Sequence, residues 1–249
     1  MGKFTIGEGV TSVGSFAFHG CSRLSDIHLS ANLTSIGHGA FWSCSGLHGI
    51  VIPAKLSSLG LEAFWRCRRL KNVTFLGDAP TLPESPSWAV GLFEATAPTF
   101  STYFLSGSMG FTSPTWAGYP AAMIDEASFP AARWLLENGL VHDTDLRHDL
   151  NSDGVNLMMA YALSLDPSQN LANRLPVPVM TNNSLNLTFH AATPGIVYKI
   201  ETSTDLRNWT TEGVVYSELA PDNRRTASIN RDSAKRYLRL VVEEGNPDD

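Results

Sequence analysis

The stretch "VTSVGSFAFHGCSRLSDIHLSAN", Val10–Asn32, decides the fold because the chain writes it again, first as "LTSIGHGAFWSCSGLHGIVIPAK" from Leu33 and then as "LSSLGLEAFWRCRRLKNVTFLGD" from Leu56. Cys21, Cys44 and Cys67 stand 23 residues apart, and Gly14/Gly37/Gly60, Ala17/Ala40/Ala63, Phe18/Phe41/Phe64 and Leu24/Leu47/Leu70 keep the same step. A fixed period in this range is the mark of stacked supersecondary units, none of which buries its apolar face alone. Alternating pairs close each copy, Ile27/Leu29, Ile50/Ile52 and Val73/Phe75, and this period of two predicts a strand. The "AFWSC" piece is too short for an independent helix and predicts one helical turn that points Ala, Phe and Cys inward. The glycine before it suits a close approach of backbone.

The composition supports folded structure throughout the 249 residues. Hydrophobic residues make up 43% and charged residues 17%, whereas disorder needs little hydrophobicity and much charge. A net charge of -6 offers no electrostatic footprint for nucleic acid. No apolar run reaches the 18 or so residues of a membrane span. The start "MGKFTIGEGV" lacks the pattern of a secretory signal, and "FTIGEGV" matches the end of a repeat, so the chain is expected to begin inside its solenoid as a truncated piece of a longer protein.

The pattern "LTSIG..AF..CSGL..I.IP" resembles the BspA-like leucine-rich repeat. That resemblance implies a right-handed solenoid of the kind found on bacterial surface and secreted proteins, here over residues 1–125. The segment "VGLFEATAPTFSTYFLSGSMGFTSPTWAGYP" resembles the irregular final repeat that seals such an array, and "ESPSWAV" reads as a local insertion. Three units follow from this: a solenoid at 1–125, a helix-loop-helix connector at 126–172 and a β-sandwich at 173–249, in a mainly β chain.

In the connector, "SFPAARWLLENG" predicts a helix with Ser128 as N-cap and Gly139 as stop, and "VNLMMAYALSL" a second one ending before Pro167. Between them, Asp149, Asn151, Asp153 and Gly154 spell D-x-N-x-D-G, the first half of a calcium loop in which alternating oxygens converge on one hard cation. The position of the closing carboxylate is held by Ala160. Calcium is therefore expected, if at all, only at weak affinity, and the other reading is an Asp/Asn turn that caps the second helix. "DLNSDGVNLMMAYALSLDP" resembles the acidic-loop module of Verrucomicrobia-type secreted proteins, and "YKIETSTDLRNWT" resembles the β-rich module that follows it. These resemblances imply architecture and an extracellular compartment more than an activity.

From Pro176 onward, alternating segments separated by Asn, Gly, Asp and Pro predict a small antiparallel sandwich. Trp209 is expected in its core rather than at its surface. No G-x-S-x-G elbow, phosphate loop or complete zinc set occurs, and three cysteines in identical repeat positions do not suit a nucleophile. They read instead as a column of small, reduced, inward hydrophobes. His19, His28, His38 and His48 read as surface variation, and His142 and His148 flank Asp143 in an acidic loop.

The expected function is thus non-enzymatic recognition or adhesion outside the cell or at its surface, with an extracellular protein or glycan as partner. The basic cluster Arg66, Arg68, Arg69 and Lys71 is the candidate binding patch. Self-association through the open N-terminal repeat edge is a further expectation. The alternative is a carbohydrate-binding accessory fragment of a secreted polysaccharide-degrading enzyme, for which Trp209, Tyr198 and Tyr216 would have to form an exposed aromatic row.

Overall fold

The structure is a computed structural model that describes residues 2–84, 91–142, 144–181, 183–230 and 236–245. The insertion "ESPSWAV" falls almost wholly outside them. The chain divides into two compact units, Met1–His142 and Asp143–Asp249.

The first unit is the solenoid. After β1 (Gly2–Thr5), each copy contributes a short strand and a long one: β2 (Ser12–Val13) and β3 (Leu24–His28), β4 (Ser35–Ile36) and β5 (Gly49–Ile52), β6 (Ser58–Leu59) and β7 (Asn72–Phe75). The short strands form one parallel sheet, with Val13 beside Ile36 and Ile36 beside Leu59. The long strands line a second face, where β7 pairs in parallel with β5 and with β8 (Ser101–Leu105). Two further strands, β9 (Thr115–Trp116) and β10 (Tyr119–Ile124), close this five-stranded sheet. Among the described residues this ladder is interrupted between β3 and β5: β1 and β3 pair with each other but not with β5.

A third face is built from turns, and here the structure corrects the expected helical turn. Only every second N–H bonds to the carbonyl three residues back, as from His19 to Phe16 and from Cys21 to Phe18. Residues at two repeat positions, Phe16/Gly39/Glu62 and Gly20/Ser43/Arg66, take left-handed backbone in every copy. A right-handed helix cannot propagate through such residues. The amides are used between copies instead: Phe18 donates to Ala40 and Gly20 to Trp42, while Phe41 donates to Ala63 and Ser43 to Trp65. Donor and acceptor are 22 positions apart in those pairs and 28 apart from Phe64 to Leu92, so the last turn carries six additional residues.

Inside the prism the repeated phenylalanines stack. Phe18, Phe41 and Phe64 lie 5.2 and 5.3 Å apart and nearly parallel, and Phe93 continues the column at 5.6 Å. Phe41, Phe64, Leu47, Leu70, Cys44 and Cys67 are fully buried among them. Gly37 and Gly60 are required by the stacking: a Cβ on Gly37 would sit 2.6 Å from the Ser15 nitrogen, and one on Gly60 2.4 Å from that of His38. The first helix, α1 (Ala132–Glu137), belongs to this unit and buries Ala132 and Leu136 against Leu105 and Ile124. Ser128 is not its N-cap, because the Ser128 hydroxyl donates to Asp125 at 2.7 Å and Ala131 takes the position. Gly139 does stop it: in left-handed backbone it donates to Leu136, while Leu140 donates to Leu135, a Schellman-type end.

The second unit opens with α2 (Leu157–Ala162), capped by the Asn156 side chain, which accepts from the Met159 N–H at 3.0 Å. Antiparallel strands follow: β11 (Val179–Thr181), β12 (Ser184–His190), β13 (Ile196–Ser203), β14 (Val215–Tyr216), β15 (Arg224–Asn230) and β16 (Tyr237–Glu244). One sheet has the order β11-β12-β15-β14, and β13 pairs with β16. Leu187, Phe189 and Ala227 from the first pack on Ile200, Leu238 and Leu240 from the second.

Candidate functional site

The candidate site is a groove of about 700 Å3 on the long-strand face of the solenoid. Its floor is the outward side of β3, β5 and β7, and its wall is the end of α1 with the Gly139–Val141 segment. Alternation places Asp26 and His28 outward on β3, Val51 on β5 and Asn72 on β7. Val51, Leu76 and Leu140 give the groove apolar surface, while Asp26 and Glu137 face His28, His48, Lys55 and Lys71 around it. The interruption of the ladder lies in this floor, leaving main-chain groups of β3 and β5 without ladder partners. The wall lies within contact range of the floor: a Cβ on Gly139 would be 3.7 Å from His28 Nδ1, an ordinary contact, so it is the left-handed backbone (φ 73) that favours glycine there.

The basic cluster predicted from the sequence is divided by this geometry. Lys71, just before β7, lines the groove; Arg66, Arg68 and Arg69 do not line it. All four are exposed. Arg66 lies in the turn face with its guanidinium 4.2 Å from the centre of the Trp65 ring.

The thiols divide as well. Cys44 and Cys67 are buried and donate to the carbonyls of Phe18 and Phe41 at 3.0 and 3.1 Å. Burial, with the neighbouring thiol adding to it, pushes both up to about 12, which keeps them protonated and unreactive. Cys21 is exposed, a correction to the inward column.

In the acidic loop, Asp149 accepts from the Gly154 N–H at 2.8 Å and from that of Asp153 at 3.3 Å. Asp153 accepts from Leu171 at 2.6 Å and Val155 at 2.9 Å, and Asn151 donates to it at 3.1 Å. The Leu171 N–H first, then the other donors, hold the Asp153 carboxyl below the usual carboxylate range. These contacts close an Asx-type turn. Ala160 is buried in α2. Among the described residues no group of three or more His, Cys, Asp or Glu side chains is placed to hold a metal; Asp143 lies outside them.

The three aromatics named for the sandwich do not form a row. Tyr198 packs in the core with its hydroxyl donating to the Ala162 carbonyl at 2.7 Å. Trp209 lies under the Arg239 guanidinium, 4.2 Å away. Tyr216 is exposed at its ring, and its hydroxyl accepts from the Ile200 N–H at 2.9 Å.

Sequence reasoning missed both the groove wall and the aromatic surface of the turn face, where Trp42 and Trp65 meet at 4.4 Å. The second had a legible signal, tryptophan at the same position of two successive copies.

Comparison with known proteins agrees with the repeat reading. No curated protein matches the chain. The crystal structure of a leucine-rich repeat protein from Bacteroides ovatus ATCC 8483 matches 49% of this chain and 30% of its own length, with 22% identity and a TM-score of 0.36; the chain thus spans under a third of that protein. Among the described residues no helix is long and apolar enough to cross a membrane. The model of the BspA type leucine rich repeat region matches residues 1–85 in 6 copies, and this part of the chain, a solenoid of parallel strands, is thus similar to BspA-type leucine-rich repeats.

Proposed function

We propose that the protein is a non-enzymatic recognition scaffold that works outside the cell or at its surface, and that it takes an extended segment of a protein ligand in the groove over β3, β5 and β7. The observation that carries this reading is the groove itself. It combines apolar side chains from floor and wall, charges of both signs around them and strand groups without ladder partners, which together suit a peptide main chain flanked by side-chain pockets. The repeat scaffold supports it, since leucine-rich repeats commonly serve as interaction surfaces whose exposed positions vary without cost to the core.

A binding screen of the full chain against extracellular proteins tests the proposal. His48→Glu with Lys71→Glu, both exposed, is expected to remove binding while stability changes by no more than about 0.5 kcal/mol. Binding that survives this pair would place the ligand elsewhere. We also infer that calcium at Asp149, Asn151 and Asp153 binds no tighter than about 10⁻⁴ M, since Ala160 supplies no carboxylate. Calorimetric titration giving a micromolar Kd would overturn that.

A further inference from the structure

The turn face carries a second surface, which shares no residue with the groove. His19, Trp42 and Trp65 occupy one repeat position, 23 residues apart. Their rings meet edge to face, His19 to Trp42 at 5.6 Å and Trp42 to Trp65 at 4.4 Å, both at 86°. Phe16, 45% exposed, widens the column 6.0 Å from Trp42. At its end the Arg66 guanidinium stacks on Trp65, and Arg68 and Arg69 follow, exposed. Among the described residues none of these three guanidiniums has a carboxylate within ion-pair distance. The neighbouring Glu94 directs its carboxylate to the Gly91 N–H at 3.1 Å. In a chain of net charge -6, three such cations beside an aromatic column stand out from the average surface.

We propose that this column binds an acidic polysaccharide, one bearing carboxylate or sulfate groups on its sugars. Aromatic rings accept the apolar C–H face of a pyranose, and guanidinium forks pair with carboxylate or sulfate oxygens in two parallel bonds. Spacing favours a glycan over an acidic peptide. Turns of the solenoid follow one another at about the strand spacing of 4.8 Å, and the Phe column beneath repeats at 5.2 and 5.3 Å. An extended peptide presents like side chains only every second residue, about 6.6 Å, and falls out of step within three turns. Successive sugars of an extended glycan advance by close to one turn each.

The test is retardation of the full chain in native gels containing polygalacturonate, dextran sulfate, neutral dextran or polyglutamate. Retardation by polygalacturonate, dextran sulfate or both is expected, and the two separate a carboxylate from a sulfate preference; neutral dextran and polyglutamate should have no effect. Arg66→Gly combined with Arg68→Gln should weaken binding about tenfold, and Trp42→Leu should weaken it as well. Arg66 has left-handed backbone (φ 59), where glycine is at ease, so the arginine variants keep the fold even if Trp42→Leu does not. The groove pair His48→Glu and Lys71→Glu should leave this binding unchanged. Absence of retardation by either acidic polysaccharide, equal retardation by polyglutamate, or indifference to the arginine variants would overturn the proposal.

Discussion

Cys44 and Cys67 differ from Cys21 only in what covers them, and that difference is measurable. Their thiols donate to carbonyls of the preceding copy and are pushed up to about 12 by burial. A thiol reagent at neutral pH should label the native chain once, at Cys21, and three times in denaturant; intact mass reads the difference. The sign of the pH effect follows from the direction of the shift. The folded state holds both protons more tightly than the unfolded chain, whose thiols titrate near 9.0. This part of the stability is fully present below pH 9 and is lost as pH rises toward 12. Denaturant titrations at pH 8 and pH 11 should therefore show the solenoid weaker at the higher pH. Rapid labelling of all three cysteines in the native chain would show that the column is open.

At the scale of the repeated element, identical letters do not mean identical environments. Gly14, Gly37 and Gly60 hold one position, yet a Cβ on Gly14 meets nothing within 4 Å while one on Gly37 meets backbone at 2.6 Å. Gly37→Ala is expected to cost about 1–3 kcal/mol through forced backbone shifts, and Gly14→Ala no more than about 0.5 kcal/mol. Urea unfolding of the two variants checks this, and equal effects would mean that the turns do not stack as described. The period made the strands, the inward Phe column and the close glycine approach legible, because side chains at fixed intervals must face one core. The turn was misread as helical. Its left-handed residues include Phe16, Glu62 and Arg66, types that do not announce such backbone, and inter-copy hydrogen bonds hold them there. The groove was hidden for a related reason: the floor residues His28, Val51 and Asn72 could be read off the alternation, but nothing local says that Gly139 and Leu140, over a hundred residues from His28, complete the wall.

At the scale of the whole chain, two cores of different construction lie in two compact units and are expected to unfold as two cooperative units. Phe64 is stacked between Phe41 and Phe93 in the solenoid, where stability is close to a sum of neighbour interfaces. Phe189 is enclosed by Leu163, Leu187, Ile200 and Ala227 in the sandwich, where residues from both sheets depend on one another at once. Each cluster is drawn from one unit, so a packing defect in one is expected to be felt there first. Phe64→Leu and Phe189→Leu each remove ring contacts without adding a polar group, a change of about 1–2 kcal/mol. Calorimetry of the full chain should resolve two transitions, with each variant lowering one of them by roughly 5 °C and leaving the other in place. A single transition that both variants move equally would mean that the two units unfold as one, and the solenoid could not then be treated as a recognition scaffold stable in its own right.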